Sequence, residues 1–295
     1  MLNLKEIILN KLKSNRPKLS DSSLKTYTSL LFKLYNTLEA DNGLEFFNKN
    51  EDRILKHLEK NVHKVSRKTV LSAYFILSGK AATHKMMIVD AKSVNDDYKL
   101  NKKSDKQEKN WISKEQIIAV YNKHKAIAMA IITQKVFTEA DLLALRDYVI
   151  LGLYTLHNPR RSLDYAEMKY KNFNKNEDNY IKNGQFVFNI YKTSKYYGMQ
   201  TEPVDKDFMK FLKNKYFKLN PTEYVLFDSK KTKLSSSQIT KLLNKLYDGN
   251  VSVDILRHVL VTDKLKGMPS IQKLEELASS LGHNVATMLQ YAKKD

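Results

Sequence analysis

In residues 20–38, SDSSLKTYTSLLFKLYNTL, the apolar positions are Leu24, Tyr27, Leu30, Leu31, Leu34 and Leu38. Steps of three and four put them on one face of a helix, and the polar residues ahead of Leu24 are suited to cap it. SRKTVLSAYFILSG repeats the pattern at Val70, Tyr74 and Leu77, with Ser66 as the expected N-cap. Stripes of this kind are ordinarily the buried side of a helical core, so residues 1–92 are expected to form a helical domain. The stretch NDDYKLNKKSDKQEKN, residues 95–110, then has many charges, few apolar residues and no stripe. That texture predicts an exposed linker over 93–111.

A second domain is expected over 112–295. Ser113 with Gln116, and Thr138 with Asp141, have the spacing of capping boxes ahead of IIAVYNKHKAIAMAIITQ and LLALRDYVILGLYTL. The helical period then stops. Phe186, Phe188 and Ile190 alternate with Val187, Asn189 and Tyr191, and Asn183-Gly184 is a strong hairpin signal. Helical patterning returns in DFMKFLKNKYF, SSQITKLLNKLY, VDILRHVLVTDKLK and SIQKLEELASSLG. The expected fold class is mainly α: a helical N-terminal domain, then a mostly helical domain carrying one small antiparallel β-sheet.

Charge narrows the partner. A formal net charge of +19 on 295 residues favours attraction to a polyanion, with nucleic acid ahead of a membrane surface. The apolar runs AIAMAII and YVILGLYTL fall far short of the roughly 20 residues that span a bilayer, so no membrane partner is expected. The N-terminus is amphipathic and lacks the apolar core of a secretory signal. The chain has no cysteine, which excludes disulfides, a thiol nucleophile and a thiolate zinc site, and its seven histidines show no metal-ligand spacing. No metal or other cofactor is expected, and the expected location is intracellular, wherever the DNA is.

Arginine is scarce. It stands only at Arg16, Arg53, Arg67, Arg146, Arg160, Arg161 and Arg257, among 51 basic residues. An arginine kept inside the apolar segment VDILRHVLVTDKL suggests work for a planar fork that lysine cannot present. Four polar clusters lie at segment ends in the second domain: Arg160-Arg161 after LYTLHNP, Lys192 in IYKTSK, Arg257-His258, and LGHNVATMLQYAKK with His283 and Tyr291. Two guanidiniums, an ammonium and an imidazole would complement a phosphodiester passing through a pentacoordinate transition state, with the phenol as nucleophile.

In this order along the chain the clusters resemble the boxes of the tyrosine recombinase (phage integrase) family. RSLD, Arg161 to Asp164, resembles the first box, an arginine with an acid three residues on. Lys192 resembles the family's hairpin lysine, DILRH its second box, LGH at 281–283 its third, and Tyr291 its nucleophile. The wording NPRRSLDYAEM looks most like integrases of large eukaryotic DNA viruses and virophages. The resemblance covers the chain from about 112 to its end, while the N-terminal helices are compatible with a core-binding domain.

The resemblance implies a catalytic set of Arg161, Lys192, Arg257, His283 and Tyr291, with Asp254, His258, Arg160 and Asp164 as possible accessories. Arg160 competes with Arg161, which is favoured because it has the acid at the third position after it. Asp164 reads as a buried partner orienting an arginine. Lys195 competes with Lys192, and Tyr196 and Tyr197 with Tyr291, though neither tyrosine follows a Gly-His pair. Two departures stand out: Asp254 occupies the position where the family usually has histidine, and His283 lies eight residues before Tyr291. Asp254, one turn ahead of Arg257, is expected to pair with its guanidinium or to accept the tyrosine proton. The implied function is a site-specific DNA recombinase or integrase acting as a homodimer or homotetramer on double-stranded DNA through a 3′-phosphotyrosyl intermediate. A type IB topoisomerase-like relaxing enzyme and a catalytically inactive DNA-binding protein are the alternatives.

Overall fold

A computed structural model describes residues 3–99, 102–265 and 271–292. The chain divides into two compact units, Met1–Leu100 and Asn101–Asp295.

The first unit contains helices α1 (Leu4–Asn15), α2 (Asp21–Thr37), α3 (Leu44–Lys49), α4 (Glu51–Asn61), α5 (Lys64–Ser78) and α6 (Ala81–Lys99). The stripe expected for α2 is its buried face: Leu24, Leu31 and Leu34 join Ile8 and Leu12 of α1, Phe46 and Phe47 of α3, and Leu71 and Tyr74 of α5 in one cluster. Helix α5 begins earlier than expected, because the imidazole of His63 rather than Ser66 caps it, accepting from the Val65 amide at 3.4 Å. A fork-to-fork ion pair ties α5 to α6, with Arg67 Nε and Nη2 each 2.7 Å from an Asp90 carboxylate oxygen. The stretch read as a linker is largely helical: α6 continues to Lys99, and Asp105–Asn110 forms α7, capped by Ser104 and Gln107. Capping and propensity make helices there without an apolar stripe.

In the second unit both expected capping boxes form, Ser113–Gln116 opening α8 (Lys114–Ile131) and Thr138–Asp141 opening α9 (Glu139–Thr155). Helix α9 is buried around most of its circumference from Leu145 to Tyr154. At Gly152 a Cβ atom would lie 2.4 Å from the Phe208 ring, so only glycine lets that ring lie against the helix. A short helix α10 (Ser162–Ala166) leads into a sheet of strands β1 (Met168–Lys169), β2 (Asn179–Lys182), β3 (Gln185–Phe188) and β4 (Gln200–Pro203). The β2–β3 hairpin turns at Asn183 and Gly184 with positive φ values of 52° and 74°, the conformation that Asn-Gly supplies. The sheet is mixed rather than antiparallel: β1 runs parallel to β2, with Met168 opposite Asn179. Alternation reads strand faces and not direction, so this two-residue strand was invisible to it. Helix α11 (Ser194–Tyr197) lies in the β3–β4 loop. Beyond the sheet come α12 (Lys206–Phe211), a π-helical turn Leu212–Tyr216, and α13 (Phe217–Leu219). Helices α14 (Ser236–Leu246), α15 (Val253–Leu265), α16 (Ile271–Ser280) and α17 (Val285–Leu289) follow. A satellite cluster of Val261, Ala278, Leu281 and Met288, with Tyr291 packed on it, joins the last three helices. Among the described residues no helix is long and apolar enough to cross a membrane.

Candidate active site

The chain leaving α9 is fixed before it reaches the two arginines. His157 is buried, and its Nε2 accepts from the Asp205 amide at 2.9 Å. Burial pushes the imidazole down to about 4, so it stays neutral and serves as an acceptor at the head of α12. Arg161 occupies the N-cap position of α10. It lines an open cavity of about 280 Å³ together with Asp254, Arg257, Tyr291, Thr240 and Ser252.

Arg257 is part of this cavity's wall. Its side chain is buried on α15; Nη1 donates to the Pro159 carbonyl at 2.9 Å and Nη2 contacts His283 Nε2 at 2.7 Å. A guanidinium has only donors, so His283 Nε2 accepts and its proton sits on Nδ1. Burial, reinforced by the charges of Arg161 and Arg257, holds His283 down to about 3. The ring is therefore neutral near pH 7, a hydrogen-bonding group and not a cation. Burial also lowers the pKa of Arg257.

Tyr291 follows α17, and its ring centroid lies 4.7 Å from the Arg257 guanidinium carbon. The rings of His258 and His283 stand 5.0 and 5.5 Å from it. His258 Nδ1 contacts the Tyr291 carbonyl at 2.8 Å; a carbonyl only accepts, so His258 donates and ties the tyrosine backbone to α15. Asp254 Oδ2 lies 3.4 Å from His258 Nε2, an ion pair only when that ring is protonated, while the terminal nitrogens of Arg257, the expected partner, are turned towards Pro159 and His283. The i,i+4 spacing sets His258 one turn ahead on the same face.

Lys192 is exposed, at the start of the loop after buried Tyr191. Its charge reaches His283, and the next residue, Thr193, donates from Oγ1 to the Gly282 carbonyl at 3.0 Å. The structure thus gathers Arg161, Arg257 and Tyr291 at one cavity, with His283 on Arg257 and the Lys192 loop tied to the turn beside His283. Tyr196 and Lys195 are exposed on that same loop. Asp164 pairs with Arg160, Nε to Oδ2 at 2.9 Å, with side-chain exposures of 1% and 2%. The acid that singled out Arg161 in the sequence therefore serves its neighbour, and what distinguishes Arg161 is its place on the cavity. Burial raises the Asp164 pKa against the opposing pull of Arg160.

Sequence reasoning missed Asn179, Gln200 and Ser280. Asn179 is fully buried; its Nδ2 donates to the carbonyls of Asp164 and Ile190, and its Oδ1 accepts from the amides of Asn189 and Ile190. A polar residue directly ahead of the apolar pair Tyr180-Ile181 was the available signal.

No family model and no curated protein sequence matches the chain. Solved structures do. A crystal structure of part of lambda integrase, a dimer bound to a COC′ core site, aligns with a TM-score of 0.57 at 13% identity, covering 96% of this chain and 92% of that one. A lambda integrase tetramer bound to a Holliday junction aligns at 0.55 and 13% identity, covering 98% of this chain and 77% of that one. The fold is that of lambda integrase, a tyrosine recombinase.

Proposed function

We propose that this protein is a site-specific DNA recombinase or integrase that breaks and rejoins strands of double-stranded DNA through Tyr291. The observation that carries the reading is the placement of the Tyr291 ring 4.7 Å from the Arg257 guanidinium, on a cavity that Arg161 also lines. In the proposed step the Tyr291 oxygen attacks the scissile phosphorus. The phosphorus–Tyr291 oxygen bond forms, the bond to the 5′ oxygen breaks, and the phenol proton is released into the cavity that Asp254 also lines. Lys192 gives a proton to the departing 5′ oxygen. Arg161 and Arg257 hold the non-bridging oxygens as charge builds on them, and neutral His283 keeps Arg257 oriented and offers its Nδ1 proton. The energy of the phosphodiester is kept in the 3′-phosphotyrosyl bond, so attack by a 5′-hydroxyl reverses the step and rejoins a strand.

The lambda integrase structures, captured as a dimer on a core site and a tetramer on a Holliday junction, support a homodimer or homotetramer on DNA for this chain. The +19 charge supports a grip on backbone phosphates from both units, the N-terminal one acting as a core-binding domain. The test is incubation of the purified protein with nicked suicide duplexes, with a chelator present, followed by denaturing electrophoresis. A covalent protein–DNA adduct is expected. Tight DNA binding without adduct on any duplex would leave a DNA-binding protein and overturn the reading.

A further inference from the structure

Arg160 has no place in the step just described, yet it is among the largest fully buried side chains of the molecule. Its guanidinium is in contact with several separate pieces of chain. Nε binds Asp164; Nη1 donates to Gln200 Oε1 at 2.9 Å and to the Ser280 carbonyl at 3.0 Å. Its central carbon lies 3.9 Å from the Phe188 ring centroid and 4.9 Å from that of Tyr191. Nη2 and Asp164 Oδ1 are buried without a hydrogen-bond partner. Burying an ion pair with part of its capacity unmet is costly, and a tighter pair would serve stability better. The contacts it does make indicate what it is kept for.

Phe188 ends β3, Gln200 opens β4, and the two are paired in the sheet. The loop 189–199, which carries Lys192, therefore leaves and returns at that pair, and the one guanidinium holds both ends, with Tyr191 in addition. The Ser280 carbonyl on the same nitrogen belongs to the end of α16, just before the turn that presents His283. Gly282 in that turn has φ +70°, and a Cβ there would come 3.4 Å from the Tyr191 ring and 3.5 Å from Arg160 Nη2. The conformation favours glycine, and the distances show that the turn lies in van der Waals contact with the clamp. The Thr193 hydroxyl bond to the Gly282 carbonyl joins the same two pieces. Lysine could not do this work: its point charge offers no planar fork to divide between carboxylate, amide and carbonyl while lying on two rings.

We propose that Arg160 is a positioning residue that clamps the 189–199 loop, and with it Lys192, against the turn bearing His283. The roles of Lys192 and His283 rest on the function proposed above, but the clamp itself is a property of the free protein and is tested without DNA. Two variants of the full chain separate it from general destabilisation. Arg160→Lys keeps a positive charge beside Asp164 and removes the fork. Tyr191→Leu leaves the Arg160–Asp164 pair intact and removes the ring; because it also removes the hydroxyl bond to the Gly198 carbonyl inside the loop, it is read relative to Tyr191→Phe, which loses that bond alone. In hydrogen-exchange mass spectrometry both should raise amide exchange in residues 189–199 roughly tenfold or more, with the N-terminal unit unchanged, as local opening without global unfolding requires. Exchange in that loop equal to wild type in both variants would overturn the clamp.

A kinetic arm reads the link to Lys192. On a duplex with an ordinary 5′ oxygen, Arg160→Lys should cut single-turnover cleavage at saturating DNA by roughly tenfold or more, since misplacing a proton donor slows the step it serves. On a duplex with sulfur in place of the bridging 5′ oxygen, a leaving group that departs without a proton, most of that loss should vanish. An equal loss on both duplexes would overturn the link. A wild-type chain that forms no adduct on either duplex contradicts the proposed function instead, and the exchange experiment still decides the clamp.

Discussion

The N-terminal and C-terminal units each hold an arginine–aspartate pair, partly exposed in the first and fully buried in the second, and the two pairs are built differently. In the first unit, both Asp90 oxygens and two Arg67 nitrogens meet fork to fork, and Arg67 Nη1 continues to the Glu59 carbonyl at 3.1 Å. In the second, Arg160 gives Asp164 a single bond and divides its remaining contacts among Gln200, Ser280 and two rings, leaving Nη2 and Asp164 Oδ1 unpaired. Arg257 repeats the pattern, with Nε unpaired and its other nitrogens on Pro159 and His283. A pair that satisfies itself cross-links two helices. A pair left incomplete marks groups held for geometry at a cost in stability, as sites of chemistry commonly are.

The sharpest way to break this contrast is to change one arginine in each unit. Arg257→Lys, which leaves the buried Pro159 carbonyl and His283 Nε2 short of a donor, should lower the melting temperature modestly with the chain still folded under assay conditions, while slowing single-turnover cleavage by roughly a hundredfold or more, about 3 kcal/mol of lost transition-state contact. A fall of less than tenfold would show that the fork is not used on phosphate. Arg67→Met, which leaves a nearly buried Asp90 unpaired, should destabilise the protein by about 2 kcal/mol, between the values for exposed and fully dry pairs. Denaturant unfolding checks it, and an unchanged midpoint would mean that Asp90 is rescued by water.

The sequence made much of the contrast legible and concealed one half of it. Helical stripes, both capping boxes and the Asn-Gly turn follow from local rules of period and backbone conformation, and these elements form where those rules put them. The parallel strand β1 and the His63 cap did not show, because strand direction and a side-chain cap by imidazole depend on neighbours outside the local pattern. Arg161, Arg257, His283 and Tyr291 were readable as candidates from their order along the chain. The partners were not: Asp164 turns to Arg160 and Asp254 to His258, since one helical turn brings several charges within reach and packing decides among them. Asn179, Gln200 and Ser280 act through buried hydrogen bonds between segments far apart in sequence, which no spacing rule announces.

Acid should act on the second unit through its buried histidines. His157 is held to about 4 and His283 to about 3, chiefly by burial, whereas in an unfolded chain each returns to about 6.5. Above that value both states are neutral and pH has no effect through them. As pH falls below it the unfolded chain binds protons that the folded one refuses, so stability is lost progressively towards pH 4. The melting temperature should fall between pH 7 and pH 5, with a shallower slope in His157→Gln; a flat profile over that interval would contradict the assigned burial. Asp254→Asn should have the smallest effect. Its carboxylate is largely exposed beside His258, so stability should change by less than about 1 kcal/mol and cleavage by less than roughly tenfold, while a loss of roughly a hundredfold or more would make Asp254 the acceptor of the tyrosine proton.

In the function proposed, the groups gathered around Arg257 serve one phenol, that of Tyr291. The most direct measurement is to trap the adduct on a suicide duplex, digest both components and locate the phosphotyrosyl peptide by mass spectrometry, with Tyr291→Phe run beside the wild type. The nucleotide is expected on Tyr291, with no adduct from Tyr291→Phe. Attachment to Tyr196 or Tyr197, or an undiminished adduct from Tyr291→Phe, would contradict the proposal.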